Sequence, residues 1–204
     1  MAFIAPIVLS GRHATLEPLA REHEEGLRAA ASDGALWELW YTSVPPPERV
    51  GAYIETALDM RERLGAFPFV VRDLASGEIV GTTRYFNVEA AHRRLEIGHT
   101  WYARRAQRTA INTECKLLLL GHAFEQLGCI AVELRTSTFN FASREAIARL
   151  GARQDGILRN HMLLPDGTRR DTVVFSILDT EWPAVRKHLV FRLQRHGGGG
   201  AATV

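Results

Sequence analysis

The sequence predicts a mixed α/β fold built on one sheet, and three features of the chain indicate it. Short apolar segments separated by turn residues run up to residue 101, which is typical of an antiparallel meander. A strand, an apolar helix and a second strand follow, an order that brings two strands together in parallel. Two further strand-like segments flank Pro165-Asp166-Gly167, a strong hairpin turn.

The first elements are a short strand pair and a helix. Residues 8–9 and 14–19 predict two strands joined by a turn at Ser10 and Gly11. Residues 22–31 have the composition of a helix, and the Ser-Asp-Gly run after them is a typical helix stop. The aromatic connection LWELWYTSVPPP comes next and ends in three prolines, which no helix interior accepts.

A second helix and a hairpin follow this connection. Residues 48–64 carry apolar side chains at helical spacing, and Gly65 is placed to end the helix. Residues 66–72 and 78–86 predict two strands joined by LASG. We expect a hairpin here because Gly77 supplies the positive φ that such turns need.

The central part of the chain alternates between strand and helix. Residues 95–101 complete the meander, and residues 113–127 predict a helix that is apolar nearly all round and therefore buried. A strand over 130–136 leads to a helix over 141–150, with Gly151 as its left-handed cap.

The last elements are a hairpin and a helix. Strands over 156–164 and 168–177 are followed by a helix over 181–193. The sequence contains no internal repeat and no linker. We therefore expect one domain over residues 1–194 and a flexible glycine-rich tail over residues 195–204.

Composition narrows the class of function. The 204 residues are 46% apolar and 24% charged, with a net charge of +2 and mixed signs, which disfavours a nucleic-acid partner. No apolar run approaches the ~20 residues of a membrane span, and the first residues lack a secretory signal. Two cysteines form no metal set and indicate reduced core thiols. We expect a cytoplasmic protein, without a membrane partner or a metal.

One loop predicts an anion-binding site. The strand-like EIGHTWY leads into the basic RRAQRTAIN, and a long apolar helix follows. A loop that leaves a strand and opens a helix presents unpaired backbone N–H groups at the positive end of the helix dipole. The anion that best suits this arrangement is the pyrophosphate of a cofactor, with the reaction occurring beside the preceding strand.

Three stretches of residues 8–180 resemble the GNAT N-acetyltransferase superfamily, in the branch of ribosomal-protein N-acetyltransferases. They are EIGHTWYARRAQR, TSTFNFASREAIARLGA and ILRNHMLLPDGTRRDTVVFSIL, which occur in the family's order. The resemblance implies a mostly antiparallel seven-stranded sheet, splayed at its centre, with helices on both faces. It also implies acetyl-CoA as the acetyl donor and an amine as the acceptor.

The resemblance assigns cofactor contacts to the loop and to the strands beside it. The family's phosphate loop reads Q/R-x-x-G-x-G/A, and here Gln107 matches while Ala110 and Asn112 replace the two glycines. Arg104 assists, and a bulge near Trp101 and Tyr102 is expected to admit the pantetheine arm. The proposed cofactor-binding residues are Ile97, Gly98, Trp101, Tyr102, Arg105, Gln107, Arg108, Thr109, Ala110, Ile111, Asn112, Asn140 and Ser143.

The catalytic candidates include several alternatives. Glu96 is the first choice for general base, against a structural role paired with a neighbouring arginine; His99 and His161 are the rival bases. Many family members carry a tyrosine as general acid one turn beyond the Asn, but residues 146–148 read Ala-Ile-Ala. Ser143 is therefore the remaining candidate to protonate the thiolate.

Further residues have open roles. Tyr102 stabilises an oxyanion if it is aimed inward, and Asn140 suits a plain helix cap. Trp37, Trp40 and Tyr41 either cap the core or line the acceptor groove.

The identity of the acceptor stays open at this point. A protein N-terminal amine and a small-molecule amine such as an antibiotic or metabolite are both compatible, in a monomer or homodimer. The missing glycines and tyrosine also allow a non-catalytic acyl-CoA sensor, and a pure interaction domain is a third possibility.

Overall fold

The computed structural model describes residues 3–197, which form one sheet with helices against both faces. The strands are β1 Leu9–Ser10, β2 Ala14–Pro18, β3 Phe67–Asp73, β4 Ile79–Glu89, β5 Arg94–Tyr102, β6 Ala131–Ser137, β7 Arg153–Leu163 and β8 Arg169–Leu178. The helices are α1 Glu24–Ser32, α2 Val50–Leu64, α3 Ala110–Gly121, α4 Phe141–Ala148 and α5 Trp182–Gly197.

The sheet is mixed and mostly antiparallel, as predicted. Its strand order is β1-β2-β3-β4-β5-β6-β8-β7, and the parallel neighbours are β5 and β6, which α3 connects. The strand count is eight rather than the seven that the family resemblance implied, because the two-residue β1 pairs with β2 at the edge.

Two apolar cores lie on opposite faces of this sheet. Successive side chains of a strand point to opposite faces, so in β3 Phe69 and Val71 pack towards α3 and α5 while Val70 packs towards α1 and α2. In β5 the first core takes Ile97 and the second takes Trp101. Each fully buried side chain of this size contributes about 1.5–3 kcal/mol, so both helix layers are held firmly on the sheet.

Two helices have an end that lies three or more residues from its predicted position. The buried helix predicted over 113–127 begins at Ala110, because the Thr109 side chain caps it, and ends at Gly121 in a π-helical turn, His122–Gln126. α5 continues to Gly197, beyond the predicted end at residue 193. Residues 198–204 of the predicted tail lie outside the described residues, and the single domain over residues 1–194 stays a prediction.

A buried carboxylate ties the β1–β2 turn to α3. Glu114 accepts hydrogen bonds from the backbone amides of Arg12 (2.8 Å), His13 (2.6 Å) and Ala14 (2.8 Å). Gly11 leaves room for this carboxylate, since a Cβ at that position would lie 2.3 Å from its Cδ atom. The contact fixes the first turns of α3 against the edge of the sheet.

We expect Glu114→Ala to lower the free energy of unfolding by about 3 kcal/mol, because three amides lose a charged acceptor in a low-dielectric site. Urea unfolding monitored by circular dichroism measures this change. Glu145→Ala is the matched control: it removes an exposed carboxylate whose ion pair with Arg149 spans one helix turn, and should cost at most about 0.5 kcal/mol. Equal losses in the two variants would contradict a clamp at Glu114.

Candidate active site

The site lies where β5 parts from β6. The two strands pair over only three positions, ending at Glu96 opposite Glu133. Beyond this point β5 stays with β4, while β6 stays with β8 along all of Ala131–Ser137. The second half of β5 therefore faces a cleft, in agreement with the expected splay at the centre of the sheet.

A β-bulge sits in the part of β5 that lines this cleft. Thr82 pairs with Trp101 and Arg84 with Gly98, so Thr83 alone faces both His99 and Thr100. His99 has φ 49°, a left-handed conformation that is uncommon for a non-glycine residue. The bulge was predicted near Trp101 and Tyr102. It lies two residues earlier, at His99 and Thr100, because the extra residue of β5 is opposite Thr83.

Glu96 is a buried carboxylate at the last paired position, 4% exposed. Its neighbours Leu95 and Ile97 point into the α3/α5 core, so its side chain is on the α1/α2 face. Asn87 donates a hydrogen bond from Nδ2 to Oε2 of Glu96 at 2.9 Å, and Arg135 Nε lies 3.3 Å from the same oxygen.

Burial sets the charge state of Glu96. Desolvation raises the pKa of this carboxyl to about 7, although Arg135 and the Asn87 hydrogen bond each favour the charged form. The negative charge of Glu133, whose oxygens bind Arg94 and Arg135, raises the pKa of Glu96 further. Glu96 is therefore close to half-ionised at neutral pH, the condition that best suits a group that both accepts and releases protons.

His99 has the opposite electrostatics. Burial, with Arg84 and Arg170 nearby, lowers the pKa of this imidazole to about 4. Its ring packs edge-on against Phe86 with centroids 4.9 Å apart. A neutral imidazole of such low basicity is a weaker general base than Glu96, although both lie on β5.

A buried lysine supports the bulge from the other side of the sheet. Lys116 of α3 donates from Nζ to Thr100 Oγ1 at 3.0 Å, and Thr83 Oγ1 lies 2.7 Å from the same hydroxyl. Burial lowers the pKa of Lys116 to about 8.

The predicted phosphate loop is exposed, and several of its backbone amides have no hydrogen-bond acceptor among the described residues. Gln107, Arg108 and Thr109 are exposed, and Arg108 has φ 61°. Within residues 3–197, the amides of Arg108, Thr109 and Ala110 donate to no acceptor. Amides in a left-handed turn before a helix make a suitable anion site.

The loop's side chains divide into structural and free groups. Gln107 Nε2 donates to the Tyr102 carbonyl at 3.0 Å, which holds the loop against the end of β5. Arg105 forms ion pairs with Asp33 and Glu78, both at 3.1 Å, so its charge is already neutralised. The exposed side chain of Arg108 is the better-placed cation.

The cap of α4 has the geometry expected from its sequence. The Asn140 side chain accepts a hydrogen bond from the Ser143 amide at 3.0 Å, and Ser143 is half-buried in the first turn. Just before it, Phe139 contacts Trp40 with ring centroids 5.2 Å apart, and Tyr41 lies against Trp40. The aromatic connection thus reaches the beginning of α4, while Trp37 is half-buried nearby in the chain.

The two remaining candidates differ in burial and in contacts. The Tyr102 hydroxyl is buried against α3 beside Cys115, which does not suit an oxyanion stabiliser. His161 is exposed on β7, where its Nδ1 lies 3.1 Å from Thr172 Oγ1.

Sequence reasoning missed three groups around Glu96: Asn87, Arg135 and Arg84. No local signal marks Asn87, because it reaches Glu96 only through an irregularity of β4 between Phe86 and Glu89, where Asn87 has φ 47°. Arg135 needs the parallel pairing of β6, which is not readable from its neighbours. Arg84 carried a signal, since a charged residue in an apolar strand is unusual.

The described residues contain neither a cluster of metal ligands nor a helix that could span a membrane. No group of three His, Cys, Asp or Glu side chains in the described chain is arranged to hold a metal ion. None of the helices between residues 3 and 197 has the length and apolar character of a membrane span.

Comparison with known proteins gives one family. A family model described as an acetyltransferase (GNAT) domain matches residues 13–153. "Putative ribosomal N-acetyltransferase YdaF" of Bacillus subtilis (strain 168) is 27% identical over 145 residues, 70% of this chain and 78% of that protein. The crystal structure of a GCN5-related N-acetyltransferase from Brucella melitensis is 31% identical, with a TM-score of 0.84 over 93% of this chain and 86% of that one.

A third comparison concerns the fold alone. Mycobacterium smegmatis RimJ, solved in complex with CoA-disulfide, is 22% identical to this chain, with a TM-score of 0.76. The match covers 92% of this chain and 95% of that one.

We expect the stability of the protein to depend on pH through Glu96. The carboxyl has its ordinary pKa of 4.5 when unfolded and about 7 when folded. Between these values the folded state holds a proton that the unfolded chain has released, so the free energy of unfolding falls as the pH rises. Glu96→Gln removes this effect, and its stability relative to wild type should grow by about 3 kcal/mol from about pH 4 to pH 8.

Chemical unfolding at several pH values measures that difference. Glu145→Gln, which removes an exposed carboxylate of α4, is the control and should follow the wild-type curve. Parallel curves for wild type and Glu96→Gln would show that burial does not perturb Glu96.

Proposed function

The chain belongs to the GNAT acetyltransferase family, and from this premise we propose that it transfers the acetyl group of acetyl-CoA to a primary amine with Glu96 as general base. The observation that carries the proposal is the position of Glu96. A buried carboxyl with a pKa of about 7 stands at the residue where β5 leaves β6.

The residues present fit acetyl-CoA. Exposed amides from Arg108 to Ala110 and the Arg108 guanidinium suit a pyrophosphate, and the β5 backbone beyond Glu96 is free of β6 to pair with the amides of the pantetheine arm. Ala110 and Asn112 stand where the family has glycines, but neither has to adopt the left-handed conformation. The left-handed residue of this loop is Arg108. The bound donor would supply an acetyl thioester, with CoA thiol as the leaving group.

The basicity of Glu96 favours an α-amine over a lysine. An α-ammonium group has a pKa of about 8, so moving its proton to Glu96 is uphill by about 1.4 kcal/mol. A lysine, with a pKa of about 10.4, would cost about 4–5 kcal/mol in the same step. YdaF, named as a ribosomal N-acetyltransferase, is consistent with a protein N-terminus as acceptor. A small-molecule α-amine satisfies the same energetics.

The burial of both cysteines favours direct attack of the amine on the thioester over a covalent cysteine intermediate. Burial raises the pKa of Cys115 to about 12 and that of Cys129 to about 11, so neither thiol ionises near neutral pH and a covalent cysteine pathway is disfavoured. In direct attack the new C–N bond forms as the C–S bond breaks, Glu96 takes the amine proton, and the thiolate takes up a proton. Ser143, half-buried in the first turn of α4, is our proposed donor of that proton, and its hydroxyl regains a proton from solvent.

We expect Glu96→Gln to lower kcat/KM for the amine about 100-fold at pH 7, because a positioned base contributes about 10²- to 10⁴-fold. The limb of the pH profile with an apparent pKa of about 7 should disappear, since it reports ionisation of Glu96. A thiol-release assay measures both, and calorimetry should show an unchanged Kd for acetyl-CoA. His99→Asn is the matched comparison: if it loses more activity than Glu96→Gln, the histidine is the base.

We expect Arg108→Glu to raise the Kd for acetyl-CoA about tenfold, because it places a negative charge at the proposed pyrophosphate site. Isothermal titration calorimetry measures this. Arg63→Glu, which makes the same charge change at an exposed position of α2, should bind as wild type does. An unchanged Kd for Arg108→Glu would remove this loop from the site. Tight binding without thiol release on any amine would favour the acyl-CoA sensor over the enzyme.

A further inference from the structure

A cluster of three buried hydrogen-bond donors lies beside Glu96 on the α1/α2 face. Its members are Arg84, Tyr53 and Trp101. Arg84 is 1% exposed and is among the largest fully buried side chains. Its guanidinium lies 5.3 Å above the ring of Tyr53, whose ring in turn meets that of Trp101 at 6.2 Å.

These donors lack acceptors. In residues 3–197, Arg84 Nε, Tyr53 OH and Trp101 Nε1 are buried without any hydrogen-bond partner. Arg84 forms no ion pair in that part of the chain, and its Nη1 donates to the Met60 thioether at 3.1 Å. A thioether is a weak acceptor, and an isolated buried cation is costly. The chemistry of the cluster therefore matches an oxygen-rich anion.

One cavity is lined by a residue that contacts Arg84 and by residues that contact Glu96. This cavity, of about 440 Å³, is lined by Met60, Phe86, Asn87 and Arg135 among others. Asn87 and Arg135 contact Glu96, whereas Met60 contacts Arg84. Met60 is half-buried, and a flexible methionine side chain moves aside at low cost. A ligand in this cavity can reach Arg84 by replacing that sulfur.

The strand register gives the spacing between the two groups. Arg84 is opposite Gly98 and Phe86 is opposite Glu96, so the pairs are neighbours on one face. Arg84 and Glu96 are therefore diagonal neighbours on adjacent strands, whose backbones lie about 7–8 Å apart at these positions. An amine at Glu96 and an anion at Arg84 therefore belong to one small unit, no longer than a short amino acid or a single N-terminal residue.

We propose that the acceptor carries a carboxylate within one residue's reach of its amine, and that Arg84, with the Tyr53 hydroxyl, binds it. This inference rests on the proposed function, since it describes the acceptor of the same reaction. Arg84 is a specificity-determining residue in this scheme. The carboxylate belongs either to a free amino acid or to an acidic side chain at a peptide N-terminus.

Matched acceptors test the proposal on the wild-type protein. Tetrapeptides beginning with Glu or Gln probe the peptide source, and isoglutamine (the α-carboxamide of glutamate) against glutaminamide probes the small-molecule source, since all four acceptors carry an α-amine. A charged hydrogen-bonded pair discriminates by about 10- to 100-fold, so the acid of at least one pair should have a kcat/KM higher by that factor. Equal rates for acid and amide in both pairs would overturn the proposal.

Variants then locate the recognition. Arg84→Gln should abolish the preference for the acid while retaining turnover of the amide, and Arg84→Lys should keep part of the preference because it keeps the charge. Arg63→Gln, at an exposed position of α2, should keep all of it. A preference that survives in Arg84→Gln overturns the proposal. An equal loss on acid and amide also overturns it, since it indicates a role in the chemical step.

A binding measurement separates this inference from the proposed function. If no acceptor is turned over, acetyl transfer fails as the function. Calorimetric titration of the protein with the Glu tetrapeptide and with isoglutamine, in the presence of CoA, then decides the inference alone. Binding of an acid that Arg84→Gln weakens about tenfold supports it, and absence of binding by both acids overturns it.

Discussion

The parallel pairing of β5 with β6 ends after three residues, and the features of the site depend on this interruption. β6 remains bonded to β8, whereas β5 remains bonded to β4 and is bent by the bulge at His99 and Thr100. The sheet thus behaves as two half-sheets joined at a short hinge of backbone hydrogen bonds. In a continuous sheet the backbone N–H and C=O groups of β5 beyond Glu96 would pair with β6; here they are available to a ligand. Glu96 stands at the junction, where burial desolvates it and where its contacts Asn87 and Arg135 line the cavity.

Two buried charges of opposite sign flank the bulge. Glu96 is on the α1/α2 face and Lys116 reaches Thr100 from the α3 side. Desolvation moves their pKa values towards each other, to about 7 and about 8. Such shifts concentrate at functional sites, because catalysis near neutral pH needs groups that exchange protons there. The fold maintains these shifts by burying both groups between the helix layers: Glu96 keeps Arg135 as its ion-pair partner, whereas Lys116 donates to the Thr100 hydroxyl.

The sequence predicted the parts of this structure that local chemistry decides. The hairpin around Asp166, the helix ended by Gly65 and the cap at Asn140 all follow from turn and cap preferences of a few residues. Glu96 was also identified, through the resemblance of its strand to a family. The contacts of Glu114 and Arg84 were not predictable, because they join segments far apart in the chain. The roles of these two residues depend on the segments that pack against them, which no local sequence pattern encodes.

The hydrogen bonds that Glu114 accepts from the β1–β2 turn have a consequence for the order in which the protein folds. Its carboxylate binds the amide of Arg12, 102 residues earlier in the chain. Contacts of such high sequence separation form late, since the intervening chain must first be brought together. The segment that opens α3 is therefore seated only when the amino-terminal edge has docked. The amides of Arg108, Thr109 and Ala110 thus take their final positions late in folding, and any anion site they form depends on this contact.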